Sequence, residues 1–348
     1  MARFIKTLKK TALAASIASL ATVANATIVT SIKPLGFIAS SIADGVTDTE
    51  VLVPAGASPH DYSLKPSDIQ KLQGAELILW VGEDIDAFLD KTLRPMPFKK
   101  VLSIADFAEI GGLLEGEAHD HKHEHDHDHK HDHDHKHDHE HKHEHDHKHD
   151  HAHKHDHDHK HNHEHKHDHA HGHDHDHSTN WHVWYSPEIS KIVATRLATR
   201  LTEAYPEKKE KIAQNLAEFN RTLAEQSEKI KQQLAPVKEK GFYVFHDAYS
   251  YFNNAYGLKQ TGYFTINPLV APGAKTLAKI KQEIKEHKVN CLFAEPQFTP
   301  KVIESLSKGT GVHVGRLDPM GDAVKLGVNS YANFLQYTAD SYFACLSK

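Results

Sequence analysis

The sequence predicts an α/β protein of two lobes with mainly parallel sheets, joined by a long helix. Its 348 residues exceed the length of a typical single domain. Apolar runs of strand length alternate with helical patterns, which is typical of parallel sheets covered by helices on both faces. Between positions 207 and 234 apolar residues recur at helical spacing, and a helix of that length would extend about 40 Å.

Residues 1–26 have the pattern of a cleaved secretory signal peptide. Four basic side chains lie in the first ten residues, a short apolar stretch covers 11–23, and Ala24-Asn25-Ala26 fits a cleavage site. The apolar stretch is too short to span a bilayer. No cysteine lies near the cleavage point, so we expect no membrane anchor. We expect the mature chain to be a soluble protein of the periplasm.

Residues 27–118 are predicted to form the N-terminal α/β lobe. The apolar run at 27–32 predicts a strand, and the turn at Pro34-Leu35-Gly36 opens a helical pattern that continues to Ile42. Ser67 has the chemistry of a helix N-cap for a short helix that ends at Gly74. Further strands are predicted at 51–53, 75–81 and 101–104.

A histidine tract follows, in which every odd-numbered residue from His119 to His177 is histidine, giving 30 of the 35 histidines in the protein. Because the tract offers no apolar face to bury, we expect it to be disordered without metal. Imidazole with neighbouring carboxylate suits Zn²⁺, Cu²⁺ and Ni²⁺. We therefore predict several weakly held, exchangeable ions and an auxiliary zinc-collecting role. The alternative interpretation is a solvated linker without function.

Three segments complete the chain. Residues 178–186 are predicted to return to the N-terminal lobe, 187–238 to form linking helices, and 239–348 to form the C-terminal α/β lobe. Ser186 and Pro187 open the first linking helix, and Pro206 interrupts it. In the C-terminal lobe the pattern predicts strands at 242–245, 262–265, 289–294 and 312–317, and helices at 249–256, 275–287, 300–308 and 331–346.

The two cysteines, Cys291 and Cys345, are predicted to form a disulfide. An even number of cysteines in an exported protein favours this pairing. Closing the loop of 54 residues would stabilise the fold by about 4 kcal/mol on the chain-entropy description. A cysteine-based metal site is the alternative, but neither residue has a Cys or His nearby at ligand spacing.

The formal charge makes nucleic acid an unsuitable partner. The chain carries a net charge of −6, the acidic excess is concentrated in the histidine tract, and the remainder of the mature chain is close to neutral. A nucleic-acid-binding protein would need a basic face. We expect no nucleic-acid partner and a monomeric protein.

Five histidines lie outside the tract, and three of them, His60, His182 and His246, occupy predicted strand ends or loops. These are the positions where α/β proteins place ligands. Each taken alone could be a surface histidine, but three neutral imidazoles converging from two lobes would form most of a tetrahedral zinc site. We interpret His287, at a charged helix end, and His313, on a strand, as structural.

Several motifs spread over the chain resemble the metal-binding proteins of zinc ABC importers, the ZnuA type. The motifs are Ser31-Ile32-Lys33-Pro34, Gly56-Ala57-Ser58-Pro59-His60-Asp61-Tyr62, Phe245-His246-Asp247-Ala248-Tyr249, Phe293-Ala294-Glu295-Pro296-Gln297 and Leu317-Asp318-Pro319-Met320-Gly321. The resemblance covers the mature chain except the tract. It implies two α/β lobes joined by a long backbone helix, with one tightly bound Zn²⁺ in the cleft between them.

The resemblance also implies particular roles around the metal. Asp318 is the implied fourth ligand, with a water, a tract histidine or a purely turn-forming Asp318 as the alternatives. Some zinc-binding members carry a ligand Glu where this chain has Pro59, which cannot coordinate. Asp61 and Asp247 could accept hydrogen bonds from the imidazoles or could cap their own turns. Glu295 is interpreted as a supporting carboxylate and not as a ligand.

The expected function is high-affinity capture of periplasmic zinc and its delivery to an ABC-type permease in the inner membrane, which works with a cytoplasmic ATPase. The chain itself has no P-loop motif, and we expect it not to be an enzyme. One alternative is a metal buffer or adhesin without transport. A zinc hydrolase is a second, but the chain lacks the H-E-x-x-H and G-x-S-x-G motifs.

Overall fold

A computed structural model describes residues 27–116, 179–298 and 301–348. The predicted signal peptide and the predicted metal-binding tract lie outside the described residues. Within the described ranges the chain forms two sheets of four parallel strands, each covered by helices, so the predicted α/β class and two-lobed architecture are confirmed. No helix in these ranges combines the length and the apolar character needed to cross a membrane.

The N-terminal sheet has the strand order β2-β1-β3-β4, with every pair parallel. Its strands are β1 (Thr27–Thr30), β2 (Asp48–Val51), β3 (Leu77–Trp80) and β4 (Val101–Ser103). All four residues of β3 are buried, because helices cover both faces of a parallel sheet and leave it no solvent side. The prediction of a strand within 75–81 is therefore confirmed, and the strand covers the apolar residues Leu77–Trp80.

Four helices accompany this sheet: α1 (Lys33–Ile42), α2 (Pro66–Gly74), α3 (Glu83–Asp86) and α4 (Asp90–Leu93). The predicted start of α2 is wrong by two residues. Lys65, and not Ser67, occupies the N-cap position, and its backbone N–H donates to Asp68 Oδ2 at 2.9 Å. Pro66 then fills the first helical position, where its missing N–H and fixed φ cost nothing.

A short antiparallel pair flanks the tract. β5 (Glu115–Gly116) lies beside β6 (Thr179–Asn180), with Glu115 opposite Asn180. The last described residues before the tract therefore lie side by side with the first described residues after it. This pairing fixes the backbone immediately before His182.

Two helices follow, α5 (Pro187–Ala204) and α6 (Lys209–Leu234). The predicted cap of α5 is confirmed, because Ser186 Oγ accepts from the backbone N–H of Ile189 at 3.2 Å. Between the helices, a 3₁₀ turn at Pro206–Lys208 interrupts the helical path, as expected at a proline. Helix α6 has 26 residues and extends about 39 Å, which confirms the long helix.

The C-terminal sheet has the order β10-β9-β7-β8, again parallel throughout. Its strands are β7 (Phe242–His246), β8 (Gly262–Thr265), β9 (Cys291–Ala294) and β10 (His313–Arg316). Its helices are α7 (Ser250–Tyr256), α8 (Ala274–Lys285), α9 (Lys301–Thr310) and α10 (Ser330–Leu346). A disulfide joins Cys291 in β9 to Cys345 in α10, which confirms the predicted pairing.

The two lobes share buried contacts through the last helix and the segment before it. Phe334 of α10 packs on Phe37 of α1 with ring centroids 5.2 Å apart. Ser330 Oγ donates a hydrogen bond to the Phe37 carbonyl at 3.0 Å. Helix α10 belongs by sequence to the C-terminal lobe and yet packs on the first helix of the N-terminal lobe. Side chains from both lobes therefore pack together at the edge of the cleft.

Candidate metal centre

Three histidines from separate parts of the chain meet in the cleft. His60 lies in a 3₁₀ turn (Pro59–Asp61) after β2, His182 follows β6, and His246 ends β7. His182 Nε2 lies 3.4 Å from His60 Nε2 and 3.3 Å from His246 Nε2. Among the described residues, these three form the group of side chains arranged to hold a metal ion, with ligand atoms within 4.8 Å of one another.

The spacing of the three nitrogens matches the edge of a zinc coordination tetrahedron. With Zn–N bonds of about 2.0–2.1 Å, two nitrogens at the tetrahedral angle are about 3.3–3.4 Å apart. The observed Nε2–Nε2 distances of 3.3 and 3.4 Å equal that value. Two of the three nitrogen pairs therefore have the spacing of a zinc tetrahedron's edge, and the ligand atoms of all three residues lie within 4.8 Å of one another.

Glu295 fixes the orientation of His246. Its Oε1 lies 2.6 Å from His246 Nδ1 and also accepts a hydrogen bond from the Tyr249 hydroxyl at 3.0 Å. A carboxylate accepts, so Nδ1 carries the proton and the lone pair of His246 is on Nε2, toward the other two rings. The interpretation of Glu295 as a supporting carboxylate agrees with this contact.

Asn180 performs the same task for His182. Its Oδ1 lies 2.8 Å from His182 Nδ1 and also accepts from the His182 backbone N–H at 3.0 Å. The amide nitrogen of Asn180 donates to the Asp247 carbonyl at 2.9 Å, which identifies Oδ1 as the free acceptor. His182 and His246 therefore direct the lone pairs of their Nε2 atoms at each other, and neither Nε2 carries a proton that it could donate to the other. Sequence reasoning missed Asn180, whose position two residues before His182 was the available signal.

The imidazoles of His60 and His182 are held in their neutral, ligand-competent form. Burial, followed by the effect of neighbouring His246, lowers the pKa of His60 to about 3. Burial also lowers the pKa of His182 well below its usual range, and His246 and His60 add to the effect. Because a protonated imidazole cannot coordinate, these shifts prepare both rings to accept a cation at neutral pH.

The structure does not bring Asp318, the expected fourth ligand, into the histidine group. Its Oδ1 accepts from the amide of Gln297 at 2.8 Å and from the backbone N–H of Met320 at 3.0 Å. Its Oδ2 accepts from the backbone N–H of Asp322 at 2.7 Å. These contacts correspond to the alternative of a turn-forming aspartate.

Asp61 and Asp247, the two candidates for orienting the imidazoles, make other contacts. Asp61 is exposed, and its backbone N–H approaches the Ser58 carbonyl at 3.4 Å within the turn. Asp247 is buried, and its Oδ1 accepts from the amide of Gln260 at 3.2 Å. The Nδ1 atoms of His182 and His246 are already engaged with Asn180 and Glu295.

The two other histidines outside the tract, which were predicted to be structural, lie apart from this group. His287 follows α8 with a positive φ of 57°, and His313 is exposed at the start of β10. Neither belongs to the histidine group. The tract histidines, from His119 to His177, lie outside the described residues.

The three rings line a small chamber. It offers about 10 Å³ to the centre of a water-sized sphere, which is the space of a single water molecule. Its walls combine the histidines with one carboxylate, one amide and several apolar side chains. The lining residues are Ser58, Pro59, His60, His182, Trp184, His246, Glu295, Gln297, Phe298, Pro319 and Met320. A chamber of this size suits a single ion.

Comparisons with known proteins agree with this arrangement. The family described as "Zinc-uptake complex component A periplasmic", ZnuA, matches residues 28–345. The chain is 68% identical to the high-affinity zinc uptake system protein ZnuA of Haemophilus influenzae over 343 residues, which are 99% of each chain. It is 53% identical to the protein of the same name from Haemophilus ducreyi, covering 98% of this chain and 99% of that one.

The fold agrees with solved structures as well. A crystal structure of a ZnuA deletion mutant with zinc bound matches with a TM-score of 0.65 and 22% identity, covering 93% of this chain and 98% of that one. The family match extends over nearly all of the described residues, and the relatives match over almost their full length. The chain belongs to the ZnuA family of periplasmic zinc-uptake components.

Proposed function

We propose that this protein captures Zn²⁺ in the periplasm with high affinity and delivers it to the permease of an ABC-type importer. The observation that carries the proposal is the position of His182 Nε2, which lies 3.4 Å from His60 Nε2 and 3.3 Å from His246 Nε2, with Nδ1 of His182 and His246 engaged elsewhere. In this proposal His60, His182 and His246 are the protein ligands of one tightly held ion.

The donor set favours zinc over harder cations. Three imidazole nitrogens suit zinc, whereas manganese, magnesium and calcium prefer oxygen ligands. The buried carboxylate of Glu295 accepts a hydrogen bond from His246, and so its negative charge lies near the cation. The Haemophilus relatives are named as high-affinity zinc uptake system proteins, which supports the same cargo.

The partners follow from the family. Its members are described as periplasmic components of a zinc-uptake complex. Such a complex needs a further component that crosses the membrane and one on the cytoplasmic side that supplies the energy. We propose an inner-membrane permease and a cytoplasmic ATPase in these roles. The histidine tract, from His119 to His177, is proposed to collect zinc weakly and to raise its concentration near the cleft.

The chamber favours a carrier over the zinc hydrolase alternative. A hydrolase needs room beside the metal for a substrate. The chamber that all three histidines line has the space of one water-sized particle, and the larger cavity of about 450 Å³ that borders His60 is lined by neither His182 nor His246. The nearest carboxylate, Glu295, already accepts from His246 and Tyr249 through one oxygen. These contacts hold the His246 ring in the orientation of a metal ligand, which is what a zinc carrier requires.

Zinc uptake by cells tests the proposal. Cells that depend on this chain and its cognate permease would be supplied with radioactive zinc in the presence of a chelator. Replacing His246 by Ala should abolish uptake, whereas replacing His313 by Ala, an exposed histidine outside the group, should leave it intact. Equal uptake by both variants would contradict the proposal. Tight zinc binding without any uptake would indicate the buffer or adhesin alternative.

A further inference from the structure

The loop that follows β8 exposes apolar side chains to solvent. Ile266, Leu269 and Val270 are 42%, 51% and 57% exposed. Among the described residues, eight large apolar side chains are exposed, and three of them fall within these five positions. Single exposed apolar residues are common, but several together mark a surface that another molecule covers. Residues 266–271 are called the apolar loop below.

The apolar loop begins beside the metal centre. Strands β7 and β8 are parallel neighbours, and Thr265 at the end of β8 lies opposite His246 at the end of β7. Neighbouring strands are about 4.7–4.9 Å apart, so the backbone of the loop begins about 5 Å from the backbone of a proposed zinc ligand. The loop and the metal centre therefore lie at the same edge of the C-terminal sheet, beyond the carboxyl ends of its strands.

A turn centred on Asn267 holds the loop in shape. The Asn267 carbonyl accepts from the backbone N–H of Val270 at 3.0 Å and from the Thr265 hydroxyl at 2.7 Å. The side-chain Oδ1 of Asn267 accepts from the backbone N–H of Leu269 at 2.9 Å. Pro268 is buried and fixes φ at the second position of the turn. The turn therefore presents Leu269 and Val270 outward on a backbone that loses little freedom when it is covered.

The sequence around the loop carries no charge. Residues 261–274 contain no Asp, Glu, Lys or Arg, whereas 25% of the whole chain is charged. The cores of protein interfaces are depleted in charged residues in the same way. Covering exposed apolar side chains with another apolar surface removes both from water and is favourable. The loop therefore fits a partner surface that is itself apolar and uncharged.

We propose that the apolar loop is a docking surface for the importer's permease, and that apolar side chains on the periplasmic face of the permease cover Leu269 and Val270. The inference rests on the proposed function and adds to it a contact by which the zinc-loaded chain is recognised. The family is described as one component of a zinc-uptake complex, so a partner component exists. Zinc is released from the edge of the sheet that carries His246, and docking on the adjacent loop brings the permease to that edge.

The first test measures docking directly. The zinc-loaded full-length chain would be bound to the cognate permease and its ATPase in lipid nanodiscs, with affinity measured by surface plasmon resonance. Leu269→Ser/Val270→Ser should weaken binding at least about tenfold, because buried apolar side chains dominate such contacts. Phe98→Ser removes a side chain that is 76% exposed before β4, and it should bind as the unmodified chain does. Equal affinity of the unmodified chain and the double variant would overturn the inference.

Two further measurements separate docking from zinc binding and from folding. Zinc affinity, by competition with a chelator, and the unfolding midpoint should be the same in Leu269→Ser/Val270→Ser as in the unmodified chain. Leu269→Met/Val270→Ile keeps the loop apolar and should retain docking. A double serine variant that binds zinc more weakly would assign the loop to the metal centre and contradict a docking role.

The same variants exclude other occupants of the loop. Binding to nanodiscs without permease that is lost in the double serine variant would identify a lipid surface as the occupant. A dimer of the unmodified chain in sedimentation, absent in that variant, would identify a second copy of the chain. Either result would overturn the inference. If the unmodified zinc-loaded chain neither docks nor supports uptake, the proposed function itself fails. If it does both and the double serine variant does the same, only the inference about the loop fails.

Discussion

At the scale of single residues, the metal centre depends on which nitrogen of each imidazole carries the proton. The acceptors Glu295 and Asn180 place the proton of His246 and His182 on Nδ1, and so direct two lone pairs into the same space. Without a cation, this arrangement brings unsatisfied acceptors together in a buried site. The protein accepts that cost in the zinc-free state because the same arrangement is complementary to zinc.

The lowered pKa of His60 makes the zinc-free protein sensitive to acid. The folded chain keeps His60 neutral down to a pKa of about 3, whereas an unfolded chain protonates it below about pH 6.5. The unfolded state then binds more protons, so the free energy of unfolding decreases as pH falls from about 6.5 toward 3. In His60→Asn this contribution is absent.

Urea unfolding of the zinc-free protein at pH 7 and pH 5 measures the effect. The unmodified chain should lose more stability between these two pH values than His60→Asn does. His313→Asn, which removes an exposed histidine outside the group, should behave as the unmodified chain. An equal pH response in the unmodified chain and His60→Asn would contradict the account.

The sequence identified the proposed histidine ligands more readily than the residues that form hydrogen bonds around them. A histidine at the end of a predicted strand can be located by its position alone, as His246 was. The amide of Gln297, which lines the chamber, donates to Asp318, 21 residues away in the sequence, and no local pattern marks that contact. Asp318 itself was ambiguous, because an aspartate before a proline can bind a metal or shape its own turn.

At the scale of elements, the long helix α6 holds the end of α1 in place. Asn215 is buried on α6, and its amide donates to the carbonyls of Ile42 and Asp44, both at 2.8 Å. These carbonyls lie at or just beyond the C-terminus of α1, where the helix supplies no partners of its own. The side chain therefore joins a linking helix to the N-terminal lobe.

Replacing Asn215 by Leu should lower the free energy of unfolding by about 1–3 kcal/mol, because the buried contact to the Ile42 carbonyl and the part-buried contact to the Asp44 carbonyl are both lost. Gln214→Leu, at the neighbouring exposed position, should change stability little. Chemical unfolding of the zinc-free protein measures both. A smaller loss for Asn215→Leu than for Gln214→Leu would show that this contact does not stabilise the fold.

The spacing of apolar residues predicted the helices and strands because each of these segments has a single clear pattern. The buried strands β3 and β9 are apolar throughout, and α6 has a stripe of apolar residues facing the core, so local sequence and tertiary burial agree. The start of α2 was predicted less well, since Ser67 and Pro66 are both favourable near a helix N-terminus. The contact of Lys65 with Asp68 decides between them.

At the scale of the whole molecule, one loop connects the two sides of the cleft. Asp322 Oδ2 accepts from the backbone N–H of Gly56 at 2.6 Å, and the Asp322 carbonyl accepts from Lys33 Nζ at 2.7 Å. Gly56 has a φ of 78°, a conformation that glycine adopts readily, and it precedes His60 in the same loop. The loop of the C-terminal lobe therefore holds the loop that carries a proposed ligand.

Asp322→Ala should speed zinc release by about tenfold, corresponding to about 1.4 kcal/mol for a lost hydrogen bond to a carboxylate. The measurement is stopped-flow transfer of zinc to a chelator. Lys325→Ala, at an exposed position in the same segment, provides the control and should leave the rate unchanged. Equal rates for the two variants would exclude a role of this contact in retaining zinc.

The disulfide acts at the same scale by tying the last helix to the C-terminal sheet. Reducing the Cys291–Cys345 bond should lower the free energy of unfolding by about 2–4 kcal/mol, because the unfolded chain gains freedom. Urea unfolding with and without a phosphine reductant measures the change. The double variant Cys291→Ala/Cys345→Ala should not respond to reductant. An unmodified chain that also fails to respond would contradict the prediction.

The most direct test of the account counts tight zinc sites in the full-length protein. Zinc would be titrated against a chelator strong enough to keep weakly held ions off the chain. We expect one zinc per chain in the unmodified protein and in His313→Ala, and none in His182→Ala. One tightly held zinc per chain in His182→Ala would contradict it, because the ion would then be bound somewhere other than the three-histidine centre.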